Sequence, residues 1–296
     1  MAVSKGNPIT AAYFNSLQTT LGNVMGAGSG NSGWGQTVSS AQLSVGTQIK
    51  ASHWSSLYTD INKAWQQIFG VSVPAASCPV ITAGTVIRAS DISLYESAIT
   101  NVNTNRLTIA AGNWTSFSDQ YRNTRASAWG GGGNTGITCT FNVTWSSEDA
   151  ARYFFNSGGS VAFALVHPST ATTQDSNWNT MLTNVGSLSL GAAGSWRTGT
   201  LGTLNTALGY YGLTGTAASW FTGSHIGTGA YVNNDATITM AKITNGFQVH
   251  ITLQDEHTNS FYDSVQAGTY VTVAYGKATA IMSGITSPGI TTVTNF

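Results

Sequence analysis

The side chains best suited to chemistry crowd into HITLQDEHTNSFYD, which places His250, Asp255, Glu256, His257 and Asp263 within fourteen residues. Imidazole and carboxylate groups are the usual ligands of zinc and calcium. On a strand, Asp255 and His257 stand two apart and share a face. The spacing matches no recognised metal motif. The stretch also falls where a strand gives way to a loop, a place where Asp, Asn and His serve turn geometry. Gln248, His250 and Thr252 alternate with Val249, Ile251 and Leu253, which puts His250 on a polar face. The expectation is no bound metal and no cofactor.

Hydrolysis needs a nucleophile with its base, or two carboxyl groups flanking a bond. No G-x-S-x-G elbow occurs. The only glutamates are Glu96, Glu148 and Glu256, two of them on predicted helices, and Asp235 follows Asn-Asn as a turn residue does. GAGSG has a helix pattern before it and a loop after it, the reverse of the strand-then-helix setting a phosphate loop requires. Cys78 and Cys139 lie in no C-x-x-C pair and read as buried free thiols. No catalytic set assembles, so an enzyme is not expected. Aromatic residues among glycines are the remaining candidates: Tyr210 and Tyr211 in GYYG, and Trp220 and Phe221 in ASWFTG. Exposed, they would stack on sugars or anchor an interface; buried, they would plug the ends of a sandwich.

The chain that must position these groups has 296 residues, enough for one large domain or two ordinary ones. Its charged fraction is 7%, against about 25% in ordinary soluble proteins. Eleven basic residues, scattered singly, make no patch for a nucleic acid. No run approaches the roughly 20 apolar residues of a membrane helix, and MAVSKGNPIT does not read as a signal peptide. A surface so poor in charge is easiest to understand if partners or further copies cover much of it.

One short pattern is written three times. PITAAYFNSLQTTL starts at Pro8, QIKASHWSSLYTDI at Gln48 and VIRASDISLYESAI at Val86, at offsets of 40 and 38 residues. In each copy apolar residues recur at steps of three and four, one stripe on one helix face. Phe14, Leu17, Trp54, Leu57, Ile61 and Ile92 are the stripe residues expected to serve as an interface, although three stripes of one chain could equally bury one another. Thr10, Ser52 and Ser90 are the expected N-caps, and Gly26 and Gly70 the C-terminal stops. Downstream, ITCTFNVTW, SVAFALV and TYVTVAYGKATAI read as strands, and ATITMAKI and FQVHITLQ flank an Asn-Gly hairpin signal. SSEDAARYFFN and DSNWNTMLTNVG read as helices. The predicted class is α+β: short helical repeats over residues 1–106 forming a docking and assembly region, then a β-rich domain over 107–296, mostly antiparallel and sandwich-like, with one or two inserted helices.

ITAAYFNSLQTTLGNVMGAGSGNSGWGQTVSSAQLSVGTQIKASHWSSLYTDINKAWQQIFG, followed by RNTRASAW and TFNVTWSSEDAARYFFNSGGSVAFAL, resembles virion structural proteins of tailed bacteriophages, particularly phages of cyanobacteria and marine bacteria. YFFNSGG and SGWGQ…QLSVGTQI carry most of the likeness. The resemblance implies a protein made in the bacterial cytoplasm and built into the virion, in the tail, neck or fibre region. Its partners would be copies of itself and other virion proteins. A host-surface glycan is the alternative partner, bound through Tyr210, Tyr211 and Trp220. No catalytic residue is implied.

Overall fold

The computed structural model describes residues 8–131, 135–256 and 264–296. The chain forms two compact units. One comprises Met1–Thr115, Arg152–Gly158 and Lys277–Ile285, the other Ser116–Ala151, Gly159–Gly276 and Thr286–Phe296. The helical unit therefore runs past residue 106 and takes in two later segments.

Each repeat copy in the first unit becomes one helix: α1 (Ala11–Met25), α2 (Ala51–Phe69) and α3 (Ala89–Thr104). Their apolar residues fall at the fourth, seventh, eleventh and fourteenth positions of every helix. This gives four layers: Phe14, Trp54 and Ile92; Leu17, Leu57 and Tyr95; Leu21, Ile61 and Ile99; Val24, Ala64 and Val102. That heptad-like spacing suits helices that cross at a shallow angle. The rings of Phe14 and Trp54 meet edge-on at 5.3 Å, and those of Trp54 and Tyr95 at 5.1 Å, so the first turns of all three helices lie together. At the other end the segment after α3 closes α2: Ala110 N donates to Gln67 O at 3.0 Å and Asn113 Nδ2 to Gln66 O at 2.6 Å. The three helices thus run parallel, and the segments 26–50 and 70–88 return the chain.

Thr10 caps α1 by accepting from Tyr13 N at 3.2 Å. Ser52 and Ser90 lie inside their helices, not at the caps; Lys50 and Arg88 occupy the cap positions. There the third helical side chain reaches back, with Lys50 N donating to His53 Nδ1 at 3.1 Å and Arg88 N to Asp91 Oδ2 at 2.9 Å. This is half of a capping box, enough to satisfy the cap amide. The return segment after α1 is pinned by the buried Asp60 of α2, which accepts from Ser39 N and Ser40 N at 2.8 Å and from Ser40 Oγ at 2.6 Å. The glycine-rich stretch is equally well tied. Trp34 Nε1 donates to Arg106 O and Asn156 O at 3.0 and 2.9 Å, and Asn156 Nδ2 donates to Gly33 O at 3.1 Å.

The second unit is a β-sandwich. Its strands are β1 (Trp114–Thr124), β2 (Thr135–Thr144), β3 (Ser160–Val166), β4 (Ser187–Leu190), β5 (Ser195–Arg197), β6 (Thr203–Leu204), β7 (Ala218–Gly223), β8 (Asp235–Ile243), β9 (Gly246–Asp255), β10 (Tyr270–Ala278) and β11 (Gly289–Thr294). One sheet has the order β1-β10-β3-β4-β5, the other β11-β2-β9-β8-β7-β6, both antiparallel. Helix α5 (Thr173–Val185) is inserted along the way, and α4 (Glu148–Asn156) begins in this unit and ends in the Arg152–Gly158 segment of the first. Phe163 on β3 packs its ring 5.8 Å from Phe141 on β2 and 5.4 Å from Trp220 on β7, so the sheets meet face to face. The α+β class with N-terminal helices holds.

The β8–β9 turn places Asn245, not Gly246, in the left-handed region, at φ 61°. Gly246 opens β9 and is needed for a different reason: a Cβ there would stand 2.0 Å from Val143 O of β2. Gly246→Ala therefore pushes the two central strands apart, and a loss of about 1–3 kcal/mol is expected from overpacking alone. Urea unfolding followed by tryptophan fluorescence measures it; an unchanged midpoint would refute the close approach.

Candidate functional site

The six stripe residues do not form a surface. Phe14, Trp54, Leu57, Ile61 and Ile92 are fully buried and Leu17 is 7% exposed within the single chain. The expectation that they grip neighbours is corrected: the three stripes are complementary to one another, and parallel helices of one chain bury them completely. The most exposed large apolar residues of the helical unit lie in the return segments, Val45 at 98% and Val86 at 76%.

Of the two readings left open for the glycine-flanked aromatics, burial holds for Trp220, Phe221 and Tyr210, which ends the sugar-stacking reading for them. Trp220 is fully buried and its Nε1 donates to Ser195 Oγ at 2.7 Å. Tyr210 is 2% exposed and its hydroxyl meets the Lys242 ammonium, which also lies 3.7 Å from the ring centroid and pairs with Glu148 at 3.0 Å. Only Tyr211 is partly exposed. A sugar cannot stack on Trp220 or Tyr210 in this fold.

His257 and Asp263 lie outside the described residues. Asp255 is buried at the end of β9, and its Oδ2 accepts from Gln174 Nε2 at 2.6 Å and Gly131 N at 3.1 Å. His250 stands on the polar face as expected, with Nδ1 2.8 Å from Thr140 Oγ1. Among the described residues no group of three or more His, Cys, Asp or Glu side chains converges. Cys78 and Cys139 are free and buried, and burial pushes both thiols up to about 12.

One constellation escaped the sequence. His167 Nδ1 lies 2.9 Å from Thr269 Oγ1, and His167 Nε2 lies 2.9 Å from Asp175 Oδ1. Trp129 Nε1 donates to the same Thr269 oxygen at 3.0 Å. The carboxylate can only accept, so the imidazole carries its hydrogen on Nε2, and Nδ1 accepts from the threonine hydroxyl. Hydroxyl, imidazole and carboxylate in series is the order of a hydrolase triad, but Thr269 and Asp175 are fully buried and His167 is 1% exposed. Buried in this way, the three groups fasten α5 to the segments around Trp129 and Thr269. The Thr269 contacts span 102 and 140 residues of sequence, which no local pattern reveals.

Two surfaces of the sandwich stand out by what they lack. The outer face of the six-stranded sheet carries a register row of threonines across five strands: Thr138, Thr252, Thr237, Thr222 and Thr203. The strand β11 closes that sheet, with β2 as its one paired strand among the described residues; its register shifts between Thr292 and Thr294, and Thr292 Oγ1 lies 2.6 Å from the Tyr121 hydroxyl of β1. Five of its six residues are exposed, Val293 at 52%, and no charged residue occurs from Ala278 to Phe296. Comparison with protein-family models, with curated proteins and with solved structures found no match.

Proposed function

We propose that this chain is a structural component of a tailed-phage virion, in the tail, neck or fibre region, that associates with its own copies and with other virion proteins. It is made in the bacterial cytoplasm and ends in the particle. The observation that carries the reading is the open edge of β11. Edge strands of proteins that remain apart are blunted by lysines, inward charges or bulges. β11 has no charge and is mostly β-branched and exposed; its register with β2 shifts between Thr292 and Thr294, which leaves Gly289–Thr292 as the regular part of the edge. The low charge of the whole chain and the likeness of its strings to virion proteins support the same conclusion. The sealing of the His167 chain supports a role without catalysis.

The test is the mass in solution. Light scattering behind size exclusion should give a multiple of 30.9 kDa for the native chain. Thr291→Lys with Val293→Lys should return it to one chain with the circular dichroism unchanged, because two charges now face the docking edge. A native protein that stays at one chain mass up to high micromolar concentration, or an oligomer indifferent to the lysines, would contradict the proposal.

The alternative reading, a glycan-binding adhesin, loses Trp220 and Tyr210 to the core. It keeps a different part of the sandwich, treated next.

A further inference from the structure

We infer that the cleft between α5 and the turn at 228–231 is a binding site for a neutral sugar residue. One wall is a single face of α5, where Thr173, Ser176, Asn177 and Thr180 recur at steps of three, one and three. The other wall is Thr228, Gly229, Ala230 and Tyr231. The cleft holds about 330 Å³, at the small end of the range for ligand pockets.

Its chemistry selects the ligand class. Thr173, Ser176, Thr180 and Thr228 supply aliphatic hydroxyls, and Asn177 an amide; no Asp, Glu, Lys, Arg or His takes part in the lining. A phosphate, a carboxylate or an ammonium group would lose its hydration and find no countercharge, which is costly. A compound with many hydroxyls and no charge exchanges its water hydrogen bonds for protein ones. The threonine methyls and Ala230 meet the C–H faces of such a molecule. Asn177 is 8% exposed, and its Oδ1 has no hydrogen-bond partner among the described residues. That oxygen is sealed from solvent, so the hydroxyls of Thr173, Ser176, Thr180 and Thr228 are the groups that meet a sugar.

The cleft is built in advance. The opposite side of α5, Trp178, Met181, Leu182 and Val185, is buried in the sandwich unit, and the helix start is held by Thr172 and Asp175. The facing loop closes on itself through Ile226 N to Asn234 O, Asn234 N to Tyr231 O and Tyr231 N to Thr228 O, at 3.0, 3.0 and 3.1 Å. Asn177 Nδ2 joins the walls by donating to Thr228 O at 3.1 Å and to Thr228 Oγ1 at 2.6 Å. Rigid walls reduce the ordering cost of binding. A Cβ on Gly229 would meet nothing within 4 Å, so space opens outward at the rim for the rest of a longer saccharide.

The experiment titrates the full chain, labelled with nitrogen-15, with neutral hexoses, 6-deoxyhexoses and N-acetylhexosamines, and with a hexuronic acid and a hexose phosphate as charged counterparts. At least one neutral sugar should shift the amides of 173–180 and 228–231 saturably, while the charged sugars leave them in place. Ser176→Leu with Thr180→Leu puts good helix formers on an exposed face, so the melting temperature should hold while affinity falls about tenfold or more, the loss of two hydrogen bonds of about 1 kcal/mol each. No saturable shift with any neutral sugar, a preference for the charged ones, or affinity undiminished in the double variant would each overturn the inference. It stands apart from the assembly reading: an oligomer without sugar affinity would defeat this site alone, and a monomer with it would defeat the assembly alone.

Discussion

Trp54→Ala is expected to unfold the helical unit rather than to loosen an assembly. The indole is fully buried, with the edges of Phe14 and Tyr95 packed against it at 5.3 and 5.1 Å. It fills the layer that joins the first turns of all three helices. Truncating a buried tryptophan costs about 3–5 kcal/mol when the surroundings cannot collapse, a large part of the 5–15 kcal/mol that holds a typical domain. Helices of this length are marginal alone, so they lose structure together. Far-UV circular dichroism against urea should show the helical signal melting early while the sandwich transition stays in place. A variant of near-native stability with an altered oligomer would return Trp54 to the surface role first expected of it.

The second large effect belongs to Asp175→Ala in the sandwich unit. Asp175 accepts from His167 Nε2 at 2.9 Å, Gln266 N at 2.8 Å, Ser169 Oγ at 3.1 Å and Thr172 N at 3.2 Å. The substitution leaves these donors facing alanine, and breaking such a buried charged group costs about 3–5 kcal/mol. The same site sets a pH dependence. Burial holds His167 below its ordinary value near 6.5, against the opposing pull of Asp175. Burial pushes Asp175 upward, but the Gln266 amide, His167 and Ser169 outweigh it and leave the carboxyl below its ordinary value. Both groups bind fewer protons folded than unfolded, so stability rises with pH. The His167 contribution is fully present above pH 6.5 and is lost as pH falls below that. The Asp175 contribution is lost further down, as pH falls through its own depressed value. Melting temperature should drop on acidification from neutral, and His167→Gln should flatten the first part of that profile. A profile equally steep in the variant would show that His167 does not govern it.

The helices were legible because an apolar residue every three or four positions needs no partner to be recognised. What covered the stripe was not legible. Periodicity says that Phe14, Trp54 and Ile92 want burial, not whether the burying surface comes from the same chain. The parallel arrangement depends on return segments fixed by Asp60, Asn156 and Arg152, whose contacts span long stretches of sequence. Glycine beside Tyr210 serves close backbone approach, since a Cβ on Gly209 would stand 2.3 Å from Gly194 N, and the sequence alone left exposure and burial of Trp220 and Tyr210 open. The strand alternation was plain in β8 and β9, and it correctly put His250 outside. It could not reveal that the inward row of β9 ends in a carboxylate, Asp255, met by Gln174 from α5. The hydroxyl face of α5 was hidden for another reason. Thr, Ser and Asn are ordinary on a helix surface, and only the opposing loop turns that face into a cleft.

The central claim is that this chain is part of a particle. Density-gradient purification of phage from a host producing it, with quantitative peptide mass spectrometry across the fractions, tests it most directly. Peptides of this chain should sediment with intact particles at a fixed ratio to the major capsid protein. Peptides that stay at the top of the gradient, with none in the particle band, would contradict it.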